Sequence, residues 1–250
     1  DVDYRHSAGY GRDFRTGIIK FASVPSGSLP RDEDFARVIR RGVPGTSMPP
    51  FPDLDDSQIR GLVAHLRSFS PRSATEAPGD AVAVSPDPFT GHAAEAVTEG
   101  RTVYHAVGRC YACHASYVAA TELSELERTV HAEPGEAYRE RFWQPVPQQD
   151  EWGHEVEPTE FLRTPLRGGA ELTDIMRALS CGVGGTPMPG WQGVLEDRQL
   201  WALSYYVRSL AEMDENVSAE LLRHLEASAS ARADTSVAVR GGPVSATADD

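Results

Sequence analysis

Residues 110–114 read CYACH and place two thiols and an imidazole within five positions. Two thiols two residues apart, on the first turn of a helix, are spaced to form one thioether each to the two vinyl groups of a porphyrin. The histidine directly after them is placed to meet the iron from the proximal side. From this chain's own Cys and His frequencies, the pattern arises by chance in about one such sequence in a thousand. Two other chemistries use C-x-x-C. A thioredoxin-like dithiol sits in a βαβ pattern, which is absent, and zinc needs four well-spaced ligands, for which no second Cys/His pair exists. The motif is expected to hold a haem c through Cys110 and Cys113, with His114 on the iron.

Two methionines sit in loops of unusual composition. Met188 lies in GTPMPG and Met48 in GTSMPP. The loops belong to an internal repeat: residues 34–51, DFARVIRRGVPGTSMPPF, match residues 174–191, DIMRALSCGVGGTPMPGW. Asp34/Asp174, Arg37/Arg177, Gly42/Gly182, Gly45/Gly185, Thr46/Thr186, Met48/Met188 and Pro49/Pro189 are identical pairs at constant spacing, and after a one-residue shift Leu54/Leu195, Gln58/Gln199, Leu62/Leu203 and Arg67/Arg208 continue the match. Each copy reads as a helix, a Gly/Pro-rich methionine loop and a second helix. Leu200, Leu203, Val207 and Leu210 recur at helical spacing. Asp56 and Asp197 stand near helix starts, where a carboxylate accepts orphan N–H groups. Prolines 44, 49, 50, 187 and 189 stop helix around each methionine.

Upstream of the thiols, Gly100 and Tyr104 are four apart on one face of an expected helix. The glycine permits close approach of another helix, and Tyr104 gives that crossing an aromatic contact. The expected partner is the helix carrying Trp201, Tyr205 and Tyr206. Residues 73–94, rich in Pro, Ala, Ser and Asp, read as a linker. Beyond about residue 216 the composition points to disorder after a short helix from Ala219 to Ala227. The formal net charge of −13 argues against a nucleic-acid binder and fits docking on basic patches of a partner. No run of 18 apolar residues exists, so no transmembrane segment is expected.

The second module resembles a class I c-type cytochrome domain: an N-terminal helix with G-x-x-x-aromatic, then C-x-x-C-H, then a methionine loop before the final helix. The first module, RDFRTGIIKFASVPSGSLPRDEDFARVIRRGVPGTSMPP, resembles the distal half of the first lobe of bacterial diheme c-type cytochromes. The resemblance implies an all-α chain of two tandem cytochrome c-like domains. Residues 1–72 would be a partial lobe with the Met48 loop, 73–94 a linker, 95–215 the domain with C-x-x-C-H, and 216–250 a tail. It implies Cys110 and Cys113 as thioether sites, His114 as proximal ligand, Met188 as distal ligand, and Met48 as ligand of a second haem. That second haem is expected only with an attachment segment upstream of Asp1, since no cysteine precedes Met48; a degenerate lobe without haem is the alternative. A thioether suits the distal role because it is soft, neutral at every pH and raises the potential. His105, His131 and His154 compete for it, while Met176 and Met213 read as packing.

Other residues have expected roles around such a site. Gly184 and Gly185 would let backbone pass close to the ring. Phe142, Trp143 and Trp152, in an insertion at 115–160 without a counterpart in the first module, would cover a haem face or simply pack. Trp191 would touch the haem edge or a propionate; Arg163 and Arg167 would pair with propionates or stay solvated. Cys181, aligned with Arg41, is expected to be partly accessible. The implied function is single-electron transfer between redox protein partners in the periplasm, since haem c matures after export. A haem subunit of a peroxidase- or reductase-type enzyme, or a haem sensor, is the alternative; both need an open distal position.

Overall fold

A computed structural model describes residues 12–131 and 141–240, with side chains to residue 228. The chain is all-α. Among the described residues seven α-helices follow in order: α1 (Asp32–Arg41), α2 (Asp56–Ser68), α3 (Ala93–Thr102), α4 (Ala120–Val130), α5 (Leu172–Cys181), α6 (Asp197–Ala211) and α7 (Glu215–Arg240). The described strands are a two-residue antiparallel pair, Gln148–Gln149 with Glu155–Val156. No helix is long and apolar enough to cross a membrane among the described residues.

The repeat folds as its spacing predicts, with α1 and α2 flanking one methionine loop and α5 and α6 flanking the other. Acidic residues open α1 and Arg40 and Arg41 close it, complementing the helix dipole. The caps of the two second helices lie one residue earlier than expected. Asp55 forms a reciprocal box with Gln58, each bond 2.9 Å, and Glu196 with Gln199 does the same on α6. Asp56 and Asp197 are already the first helical residues.

Both loops close with the same bonds. Val43 and Val183 donate to the carbonyls of Met48 and Met188, each at 3.1 Å. The Thr46 and Thr186 hydroxyls donate to Val43 and Val183, each at 2.7 Å. Gly42 and Gly182 take φ of 66° and 78°. A Cβ on either would stand 2.7 Å from the methionine carbonyl, so sterics demand glycine twice over.

Apolar residues gather in separate clusters. Phe35, Ile39, Ile59 and Val63 pack with Val24, and α3, α5 and α6 build a larger one around Tyr104, Met176, Leu203 and Tyr206. Residues 18–28 run across the start of the second methionine loop. Gly184 donates to Lys20 O at 3.0 Å and Ser26 to Cys181 O at 3.0 Å. Arg41 reaches the buried Asp174, which also holds Arg177. Cys181 is therefore 2% exposed, against expectation. Its repeat partner Arg41 points outward to Asp174, whereas residues 18–28 cover Cys181 itself.

The expected linker is extended and tied down at several points. Val82 donates to Ser23 O at 2.8 Å, Trp201 donates to Ser85, and Tyr205 to the Asp87 carboxylate at 2.6 Å. The tail also departs from expectation: α7 runs from Glu215 to Arg240, with Leu225 buried. Its alanine content favours helix where composition alone pointed to disorder. Residues 241–250 of the expected tail lie outside the described residues.

Candidate functional site

The crossing of α3 on α6 sets the position of the CYACH loop. A Cβ on Gly100 would lie 2.0 Å from the Ala202 carbonyl oxygen and 2.8 Å from Tyr206 Cβ; only glycine lets the backbones approach that closely. One turn on, Tyr104 meets Tyr206 edge-on with centroids 5.6 Å apart. The helix then widens into a π-turn, Val103–Val107, which swings the chain toward the thiols.

Two neighbouring side chains clip the loop behind. Tyr104 donates its hydroxyl to Ala115 O at 2.7 Å. His105 donates Nδ1–H to Arg101 O at 2.9 Å, because a carbonyl only accepts, so its Nε2 accepts from Tyr117 N at 3.3 Å. Both ring nitrogens are committed, and burial pushes the His105 pKa down to about 3. Residues 104, 105, 115 and 117 thus pin a tight loop from 106 to 114. Cys110 opens a three-residue 3₁₀ turn, Cys110–Ala112, and Cys113 caps it, a shorter element than the expected helical turn. Cys110 is half-buried and Cys113 exposed; burial pushes the Cys110 thiol up to about 12. Arg109, which opens the turn, is left-handed at φ 47°, a conformation that costs a non-glycine residue about 1 kcal/mol.

His114 is oriented by residues of the insertion. Its Nδ1–H donates to Thr159 O at 3.0 Å, and its ring stacks on Phe161 with centroids 5.0 Å apart and planes 16° off parallel. Phe161 is held in turn, its N–H donating to Tyr117 Oη at 2.9 Å. Burial lowers the His114 pKa, keeping the imidazole neutral. A neutral imidazole whose Nδ1–H is committed to a carbonyl presents Nε2 as its metal-binding nitrogen. Val146 N donates to Cys113 O at 2.8 Å, so the insertion holds the end of the loop, and just beyond it Ser116 N donates to Phe142 O at 2.7 Å. Sequence reasoning missed Thr159, Phe161 and Tyr117. An aligning backbone carbonyl leaves no mark in a sequence; Phe161 and Tyr117 had only their aromatic character.

Cys110, Met188 and Trp191 pack against one apolar cluster although the chain separates them widely. Trp191 stands beside the thiol loop: a Cβ on Gly108 would be 3.3 Å from Cys110 Sγ and 3.9 Å from Trp191 Cη2. Its indole N–H is buried without an acceptor among the described residues, and so, elsewhere, is Arg167 Nε. Leaving such a donor unpaired costs about 1–3 kcal/mol. A group bearing carboxylates beside the thiols would satisfy the Trp191 donor, so the residues present there fit a haem with its propionates. Arg163 is exposed.

The rival distal histidines are occupied elsewhere. His105 is committed at both nitrogens, His131 Nε2–H donates to Ala106 O at 2.9 Å, and His154 is exposed beside Asp150. Met176 is buried core. Phe142 packs with Val118 and Leu123, with Trp143 edge-on to it. Trp152 stacks under Arg12, 4.7 Å from its ring centroid, and against Gly185. Gly184 and Gly185 therefore approach Ile19 and Trp152 rather than leaving room for a ring.

Met48 packs half-buried against the smaller cluster. Its module differs from the other along the second helix. On α6, Ala202, Leu203 and Leu210 are buried beneath and beside α3. At the matching positions of α2, Gly61 faces open space, Leu62 is 40% exposed and Phe69 46% exposed. The face that α3 covers on α6 is uncovered on α2 among the described residues.

No family model matches the chain, and no curated protein matches it. Among solved structures it is similar to a chain of the "Kuenenia stuttgartiensis reducing HAO-like protein complex Kustc0457/Kustc0458", with 30% sequence identity and a TM-score of 0.65. The match covers 82% of this chain and 83% of that one. At that identity over most of both chains, this protein belongs to the family of the matched chain of that complex.

Proposed function

We propose that this chain is a single-electron carrier holding a haem c on Cys110 and Cys113, with His114 and Met188 as axial ligands. The observation that carries the reading is the gathering of Cys110, Met188 and Trp191 on one apolar cluster, with His114 held through Nδ1 by Thr159. When bound, the haem supplies a reversible Fe(II)/Fe(III) couple. The protein does the rest. Thr159 and Phe161 fix the imidazole, and the bonds within the second loop limit where the Met188 thioether can go. The apolar cluster would keep water from the inner edge, and the buried Trp191 N–H would offer a hydrogen bond to a propionate. With His114 and Met188 both holding the iron, no position would be left open, which favours electron transfer over chemistry at iron.

The family relation supports a place within a larger redox assembly, because the matched chain belongs to a reducing complex. We therefore favour a redox subunit that passes electrons to or from a protein partner, outside the inner membrane where haem c is attached. The acidic surface suits a basic docking face. Met48, in a loop bonded like that of Met188, is proposed as ligand to a second haem, borne by a segment whose helix would cover α2 at Gly61, Leu62 and Phe69.

A carbon monoxide challenge tests the ligation. The matured protein is expected to give a low-spin c-type spectrum with a methionine-to-iron band that carbon monoxide barely alters. Met188→Ala is expected to bind carbon monoxide rapidly and to lower the reduction potential. An unchanged spectrum in Met188→Ala removes that residue from the iron, and rapid binding by the wild type contradicts simple electron transfer.

A further inference from the structure

We propose that Glu127 is a positioning residue for the attachment loop, acting through the two residues that flank Cys110; this rests on the haem reading above. Glu127 sits in the last turn of α4 with its side chain fully buried. Its Oε1 accepts the Tyr111 hydroxyl at 2.6 Å and faces Arg109 Nε at 3.2 Å. Arg109 immediately precedes Cys110 and Tyr111 immediately follows it. Arg109 is also the one non-glycine residue with positive φ among the described residues.

A carboxylate buried this fully is tolerated only when paired and hydrogen-bonded. Two of its partners come from the thiol loop, so seating this carboxylate in α4 draws on Arg109 in its left-handed conformation and on the Tyr111 ring. That pair of restraints sets where the 3₁₀ turn begins and hence the direction of the two thiols. α4 is itself anchored behind the loop by His131 on Ala106 O and by the Arg101–Glu122 ion pair. The carboxylate also places negative charge beside the loop, which favours the ferric state and lowers the potential.

The test uses the full chain matured in a host that attaches haem c, read by intact mass and by redox titration. Glu127→Ala is expected to lose covalent haem several-fold. The double variant Arg109→Gly, Glu127→Ala gives the left-handed position to glycine and leaves no unpaired charge, and is expected to recover attachment. Glu127→Gln keeps an acceptor for Tyr111 and is expected to attach haem normally, with its potential raised by a tenfold change in the ferric-to-ferrous ratio, or about 59 mV. Recovery in the double variant distinguishes positioning of the loop from a general contribution to folding. The proposal is overturned if Glu127→Ala attaches haem as the wild type does, if the double variant is no better than Glu127→Ala, or if Glu127→Gln leaves the potential unmoved. A wild type that carries no haem brings down the haem reading itself, and this role with it.

Discussion

His105 shows how a residue of the right type can be spoken for. It lies five positions before Cys110 and has the chemistry of an iron ligand, yet both ring nitrogens bond backbone and hold the loop shut. Its pKa, pushed down to about 3 by burial, makes it acid-labile in a calculable way. Between the ordinary value of about 6.5 and the folded value, the unfolded chain binds a proton that the folded chain refuses. The stability contributed by the neutral ring is therefore complete above about pH 6.5 and falls by about 1.4 kcal/mol per pH unit below it. Urea unfolding of wild type and His105→Gln from pH 7 to pH 4 isolates this slope, because the other titrating groups are common to both. The advantage of the wild type is expected to shrink steadily with acidification; a constant difference would mean that the ring is protonated inside the fold.

At the scale of elements, the crossing of α3 on α6 sets where the thiol loop lies on the apolar cluster that Met188 also packs against. Gly100 is its fulcrum. Gly100→Ala places a methyl against the Ala202 carbonyl and is expected to destabilise the protein by about 1–3 kcal/mol, measured by chemical denaturation, while the same change at Gly61, which faces open space, is expected to be neutral or mildly stabilising. Equal effects at both sites would refute the crossing. This crossing was readable in the sequence because glycine and tyrosine four apart have few other uses on an apolar helix face. The paired methionine loops were readable for a similar reason, since Gly42 and Gly182 answer a steric demand that no other residue meets. The second ring of contacts around His114 was not readable. Thr159 contributes a backbone carbonyl, and any residue there would provide one. Cys181 was misplaced because a repeat reveals equivalent backbone, not what a neighbouring segment lays over it.

The whole molecule joins two unequal modules. Residues 18–28 of the first strap the methionine loop of the second, Arg41 crosses to Asp174, and the extended stretch near residues 79–87 is bonded to both. Among the described residues, the second module carries the thiols and the oriented imidazole, and its Met188 packs on the same apolar cluster as Cys110. The protein is thus expected to carry a covalent porphyrin on Cys110 and Cys113. Intact-mass measurement of the chain after maturation tests this most directly. The account predicts the polypeptide mass plus one haem, lost together with the c-type spectrum when Cys110 and Cys113 are both replaced by alanine. A mass equal to the bare polypeptide, or a haem that persists without those two thiols, would contradict it.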